Sequence, residues 1–401
     1  MKRFTATIAI AATAVTAVAA MTVNVPVALG QGSSISELSS SGALRSNAPL
    51  PAEAGKLLAR QRVDAARERI EYTSTNERGE IVPVTGAVYT PAGTPKGTIV
   101  MAPGTRGMGD QCAPSAGSSM LLRIEGSSAN LNYEAPHAQR LVQEGYRVVV
   151  TDYIGMGSTG LHTYLNRVEQ GHAVIDAGRA VTEPGEKVFF YGYSQGGAAT
   201  AAAAELQPEY APELNLVGVF AGAPPADPIA VLEQGNAKTL EGVASFVITS
   251  YSYSYPEFRD AIAEHAGPGA FRYLAAVGAS CLAETSGSSA PLTRFSPKTM
   301  QEIVSSDERI RRALAHNRLG NVPVHAPILI IHSPQDNLVP FGQGKQLADD
   351  YRALGSPVTF RAIEVSESSS ESGLGHVVPA ITENEDTIRW MNERFTDSPA
   401  S

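Results

Sequence analysis

Short, continuous apolar runs recur along the chain, separated by stretches with helical spacing. Ile99-Val100-Met101-Ala102, Val148-Val149-Val150, Val188-Phe189-Phe190-Tyr191, Leu216-Val217-Gly218-Val219-Phe220-Ala221 and Ile328-Leu329-Ile330-Ile331 are apolar on both alternating positions, the first two led in by Thr98 and by Tyr146-Arg147. Such runs predict strands buried on both faces, as in a parallel sheet covered by helices. Helices are expected at about Ala135–Glu144, at about Gly171–Val181 and through the Ala-rich run to Leu206. Strands and helices in alternation predict an α/β fold with a mostly parallel central sheet. Ahead of this pattern, Ile70–Thr75 and Ile81–Thr90 are β-rich and flank Asn76-Glu77-Arg78-Gly79, which predicts a hairpin. Ala52–Arg69 carries helix formers and is expected to be helical.

The alternation stops at about Pro224 and resumes at about Asn321. Helical candidates between them are Ala230–Glu233, Ala237–Tyr251, Pro256–His265, Gly269–Ala276 and Lys298–Arg312, which suggests a helical cap inserted into the sheet protein. Strands then return at Ile328–Ile331 and Val358–Ile363, and a last helix is expected over about Ala380–Arg394. The expected organisation is a core at 51–223 and 322–396 with an insertion at 224–321. No internal repeat and no heptad seam is present.

The first 30 residues change the compartment. Lys2 and Arg3 precede an apolar small-residue run, Ile8–Ala20, with the flanks of a secretory signal and too few residues for a comfortable membrane span. Cleavage is expected after Ala20 or Gly30, and a Ser- and Gly-rich segment follows to residue 50. No later run is apolar enough to span a bilayer, so a soluble, exported protein is expected; separately, a monomer is expected. The chain has a net charge of −9, and removing the first 30 residues, which hold two cations and no acid, makes it −11. Such an acidic chain argues against nucleic acid and against anionic membranes as partners. Its two cysteines, Cys112 and Cys281, read as one disulfide in an exported chain.

The candidate chemistry centres on Gly192-Tyr193-Ser194-Gln195-Gly196. This G-x-S-x-G follows a buried strand and opens a helix, the context in which it makes a nucleophile elbow. Ser194 is the candidate nucleophile. The N–H of Gln195, at the helix N-terminus, can stabilise a developing oxyanion. An acyl-transfer serine needs a base, and the base needs an orienting carboxylate. In chain order these are expected after the serine. Asp336 lies in His332-Ser333-Pro334-Gln335-Asp336, just past a buried strand, and His376 lies in the glycine-flanked Gly373-Leu374-Gly375-His376. Asp227 is the substitute for Asp336. His325 and His332 flank a strand and read as structural. His162 and His172 are near the expected mouth and read more readily as packed than as substrate contacts. Asp152 reads as a turn residue. A second oxyanion donor is expected from Gly104-Thr105-Arg106-Gly107, with Thr105 and Arg106 both open, and Arg106 could instead bind a carboxylate. No phosphate loop, zinc spacing or calcium loop is found, so no metal and no cofactor is expected.

Together these motifs resemble the secretory lipase family of actinobacteria and fungi. The resemblance rests on Pro103-Gly104-Thr105, Cys112-Ala113-Pro114-Ser115, Asp152-Tyr153-Ile154-Gly155-Met156-Gly157, the Ser194 elbow, Asp336 in Gln335–Pro340 and His376. It implies an α/β-hydrolase core with a helical cap, a Ser194–His376–Asp336 triad, and a Cys112–Cys281 bridge from the oxyanion-side loop to the cap. A second disulfide of the fungal members is absent. The expected activity is that of a secreted serine carboxylic ester hydrolase, a triacylglycerol lipase or esterase working through an acyl-enzyme on lipid or small esters. An acyltransferase acting on envelope lipids and a non-catalytic lipid-binding protein are the alternatives.

Overall fold

A computed structural model describes residues 49–65, 67–116, 122–125, 128–233, 241–267, 269–288, 295–366 and 373–397. The expected signal, most of the segment at 31–50 and residues 237–240 of an expected helix lie outside them. The strands are β1 (Leu57–Arg62), β2 (Arg67–Thr75), β3 (Ile81–Tyr89), β4 (Thr98–Ala102), β5 (Leu122–Glu125), β6 (Ser128–Leu131), β7 (Arg147–Thr151), β8 (Lys187–Tyr193), β9 (Asn215–Gly222), β10 (Ile328–His332) and β11 (Val358–Ala362). Nine of them form one sheet in the order β1-β2-β3-β7-β4-β8-β9-β10-β11. β1, β2 and β3 make an antiparallel meander that joins β7 antiparallel. From β7 to β11 every pairing is parallel.

Helices α1 (Ala135–Gln143), α2 (Arg167–Arg179) and α3 (Gln195–Tyr210) connect the central strands. Between β9 and β10 lie α4 (Pro228–Glu233), α5 (Glu241–Ser254), α6 (Pro256–His265), α7 (Gly269–Gly278), α8 (Leu282–Ser288), α9 (Met300–Ser306) and α10 (Glu308–His316). The chain ends with α11 (Phe341–Ala353), α12 (Leu374–Thr382) and α13 (Asn384–Asp397). This is an α/β-hydrolase architecture.

The continuous apolar runs face two layers at once. Val149, Phe190, Ile328 and Ile330 pack with Val174 of α2 and the alanines of α3. Their neighbours Val148, Val150, Phe189, Leu329 and Ile331 pack on the other face with Leu141 of α1 and with Trp390 and Phe395 of α13. Register aligns the carboxyl ends of the central strands: Ala102 pairs with Gly192, Tyr193 with Gly222, and Gly222 with Ile331. The loops that follow β4, β8, β9 and β10 therefore leave one edge of the sheet together.

Four expectations are corrected. Ala52–Arg69 is not a helix: β1 pairs antiparallel with β2, and its exposed polar face suits an edge strand whose charges discourage further pairing. The single helix expected at Lys298–Arg312 is two, because Asp307 ends α9 in an extended conformation and its side chain caps α10 through Arg309 N–H. The last helix is also two, α12 and α13. The helix expected from about Gly171 begins at Arg167, capped by the Asn166 side chain. The β5–β6 pair and α11 were not expected.

Candidate active site

Ser194 sits between β8 and α3 with φ 58° and ψ −124°, a left-handed conformation rare for a residue with a side chain. Its N–H donates to Gly222 O at 2.8 Å, which ties the turn to β9. The two flanking glycines are sterically required. A Cβ on Gly192 would lie 2.1 Å from Gly196 O, and one on Gly196 would lie 2.1 Å from Ala102 O. The G-x-S-x-G spacing thus lets strand, turn and helix meet at backbone contact distance.

Asp336 and His376, 40 residues apart, are brought together. His376 Nδ1 donates to Asp336 Oδ2 at 2.6 Å. The other carboxylate oxygen accepts Leu338 N–H and Val339 N–H, both at 2.9 Å. Burial pushes the Asp336 carboxyl up, but His376 and His332 outweigh it and hold the group well below the usual carboxylate range. His332, the last residue of β10, is fully buried and its Nε2 donates to Val339 O at 2.8 Å and lies 3.2 Å from Asp336 Oδ2. It is structural, as expected, but its structural task is to brace the carboxylate. Tyr193, next to the serine, connects the two halves. Its Oη donates to His376 O at 2.7 Å, and its ring meets the imidazole edge-on at 5.4 Å.

The loop after β4 is held by an acid that the sequence did not single out. Glu134 accepts Gly104 N–H at 2.8 Å and pairs with the buried Arg106 guanidinium. Arg106 also donates to Asn132 Oδ1 at 2.7 Å and lies over the Tyr133 ring. Its side chain thus binds a carboxylate of the protein. Thr105 Oγ1 and Tyr164 Oη share a hydrogen bond of 2.8 Å, and Thr105 O accepts Tyr133 Oη at 3.0 Å. Cys112 and Cys281 form a disulfide with Cα atoms 5.5 Å apart. Alongside it, Met108 N–H donates to Ser280 O and Leu282 N–H to Arg106 O, so this loop is laced to the segment between α7 and α8.

The remaining candidates fall into structural places. Asp227 caps α4 by accepting Ile229 N–H and approaches Arg318. Asp152 is fully buried and accepts Ser115 N–H and the Thr85 hydroxyl, fastening the 112–116 segment to β7. His172 lies in α2, stacks on Tyr210 at 3.8 Å and contacts Thr75 O. His325 is exposed ahead of β10. His162 is fully buried and meets the side chain of Gln195. A cavity of about 330 Å³ opens among Glu77, Val82, Ile154, Leu161, Tyr253 and Tyr255, and none of the candidate site residues lines it. Among the described residues no cluster of His, Cys, Asp and Glu could hold a metal ion, and no helix is long and apolar enough to cross a membrane.

Residues 122–401 match the family described as secretory lipase. A protein of Mycobacterium tuberculosis named a probable inactive lipase is 28% identical over 301 residues, covering 73% of this chain and 64% of that protein. A secreted triacylglycerol lipase of Malassezia furfur is 25% identical over 304 residues, covering 73% of this chain and 76% of that one. The chain spans just under two thirds of the Mycobacterium protein and, equally, of lipase 6 of Candida albicans, at 64% of each. The closed-state structure of Candida antarctica lipase A superposes with a TM-score of 0.71 at 21% identity, covering 86% of this chain and 82% of that one.

Proposed function

Because the chain belongs to the secretory lipase family, we propose that it is an exported serine hydrolase of carboxylic esters, acting on lipid esters. The observation that carries this reading is the buried Asp336–His376 pair, joined at 2.6 Å and packed through Tyr193 against the strained turn that presents Ser194. With Nδ1 committed to Asp336, His376 has Nε2 left to take a proton. Ser194 Oγ attacks the ester carbonyl and gives its proton to His376 Nε2. Asp336 holds the tautomer and stabilises the imidazolium. The imidazolium then protonates the departing alkoxide, leaving an acyl-enzyme, and water activated by His376 releases the acid.

The oxyanion is met by Gln195 N–H, one of the unsatisfied donors of the first turn of α3. Thr105 N–H is the second donor. In its loop Gly104 N–H is spent on Glu134, whereas Thr105 N–H has no acceptor among the described residues. Residues 224–321 act as a cap on the core, which they meet through the Cys112–Cys281 disulfide and through Tyr255, whose hydroxyl donates to Glu77 at 2.7 Å. The name of the Mycobacterium relative favours a second reading, a hydrolase fold without catalysis.

Purified protein and Ser194→Ala, assayed on p-nitrophenyl esters from C2 to C16 and on a long-chain triglyceride, test the proposal. Activity on the long chains and the triglyceride that is lost in the variant is expected. Activity confined to short chains would make the enzyme a simple esterase, and activity that survives in Ser194→Ala would overturn the assignment. Release of acyl-alcohol in place of free acid when an alcohol is added would identify an acyltransferase. No turnover of any ester would favour the non-catalytic reading.

A further inference from the structure

Two polar side chains beside the elbow are buried out of reach of solvent. Gln195 is 1% exposed and His162 is 0% exposed. Their ends meet, with Gln195 Nε2 3.0 Å from His162 Nε2. The other imidazole nitrogen, Nδ1, faces Ile154 O at 3.4 Å. A carbonyl oxygen only accepts, so Nδ1 carries the proton and Nε2 accepts from the Gln195 amide. Burial lowers His162 from the usual imidazole value near 6.5 to about 4, so the ring stays neutral and keeps its acceptor across the neutral range. Gln195 Oε1 is buried too, and no described residue donates to it. One hydrogen bond therefore fixes the rotamer of this amide.

The same imidazole is linked to the opposite wall of the site. It stacks on Tyr153 at 5.5 Å, and Tyr153 Oη donates to Pro103 O at 2.7 Å. Pro103 opens the loop that carries Thr105. Tyr153 itself has φ 67°, a conformation that the surrounding structure must impose. Tyr153, His162 and Gln195 thus form a buried chain from the loop after β4 to the first residue of α3.

We infer that His162 is a positioning residue for the oxyanion hole: it clamps the Gln195 side chain and, through Tyr153, sets the distance between the Gln195 and Thr105 main-chain donors. The inference rests on the proposed serine mechanism. Without the clamp, the Gln195 amide loses its hydrogen bond in a dry site, and the turn that carries its N–H relaxes. The effect belongs in the transition state, where charge develops on the carbonyl oxygen, and not in ground-state binding.

The test is a double-mutant cycle in the full chain with His162→Phe, Gln195→Leu and both together, measured as kcat and KM on one p-nitrophenyl ester. Far-ultraviolet circular dichroism and the thermal midpoint report folding. Each single variant is expected to lose about tenfold in kcat with KM within about twofold, a fraction of what loss of an oxyanion donor costs. The double variant should lose no more than the worse single, because each change breaks the same bond. His162→Gln, which keeps a side-chain acceptor, should recover most of the kcat lost in His162→Phe. Multiplicative losses, or a folded His162→Phe with the parent kcat, would overturn the inference. If His162→Phe does not fold, Gln195→Leu decides: the parent kcat in that variant overturns it, and a tenfold loss at constant KM supports it. Labelling of the parent by a fluorophosphonate separates the two layers. A parent labelled at Ser194 with an indifferent His162 defeats only the clamp, whereas an unlabelled, inactive parent removes the serine mechanism and the clamp with it.

Discussion

Asp336 shows how one side chain is constrained from every side. Two main-chain N–H groups hold Oδ1, and His376 and His332 approach Oδ2. A carboxylate so surrounded can only accept, which fixes the proton of His376 on Nδ1. Asp336→Asn places an amide where that acceptor stood and favours the wrong tautomer. A fall in kcat of about 10⁴-fold with KM little changed is expected, read from steady-state kinetics on a soluble ester. A loss below tenfold would contradict the assignment of Asp336 as the group that orients His376. Glu134 and His332 do comparable work away from the reacting atoms; nothing in the sequence marks Glu134, and His332 reads there as structural without its partner. Each acts through a contact that exists only after folding.

At the scale of elements, the site is the meeting of the loops that follow β4, β8 and β10 with the first turn of α12, which comes after β11 and carries His376. The elbow was legible because its information is local: a buried strand, two glycines four residues apart and an Ala-rich helix. Asp336 and His376 were legible because each follows an element whose pattern is plain. What stayed hidden depends on pairing between distant segments. The helix formers at Ala52–Arg69 gave no warning that Leu57–Arg62 would find β2, and Gly342 and Gly344 disguised α11. The Gln195–His162 contact joins a helix to a loop 33 residues earlier. The Cys112–Cys281 bridge, with the main-chain bonds beside it, fixes the loop after β4 against the segment preceding α8. The disulfide spans 169 residues, and reducing it should cost about 2–4 kcal/mol by releasing the unfolded chain. The measurement is the thermal midpoint with and without a reductant that yields two titratable thiols. An unchanged midpoint after full reduction would show that the main-chain lacing alone holds the loop.

Across the whole molecule, buried titratable groups set opposing responses to acid. Burial lowers His137 and His162 to about 4. Their unfolded counterparts titrate near 6.5, so their contribution is complete above that value and is lost as pH falls towards 4. Burial raises Asp176 to about 6 against the bonds from Ser74, Tyr210 and Arg179. Its contribution has the opposite sign, present below the unfolded carboxylate value near 4 and lost as pH rises through 6. Both nitrogens of His137 lack partners among the described residues, and its ring packs on Tyr191 at 4.5 Å, so phenylalanine fits the site. Thermal midpoints between pH 4 and 7 should therefore fall less steeply on acidification in His137→Phe than in the parent, and more steeply in Asp176→Asn. Identical slopes in all three would contradict this assignment of the charges.

The proposed function requires Ser194 to be a nucleophile made reactive by His376 and Asp336. Its most direct measurement is the intact mass and labelled peptide of the full chain after treatment with a fluorophosphonate, alongside Ser194→Ala and His376→Ala. One adduct is expected, on the peptide that contains Ser194, absent from Ser194→Ala and formed far more slowly in His376→Ala. No adduct on the folded parent, or an adduct on another residue that persists in Ser194→Ala, would contradict it.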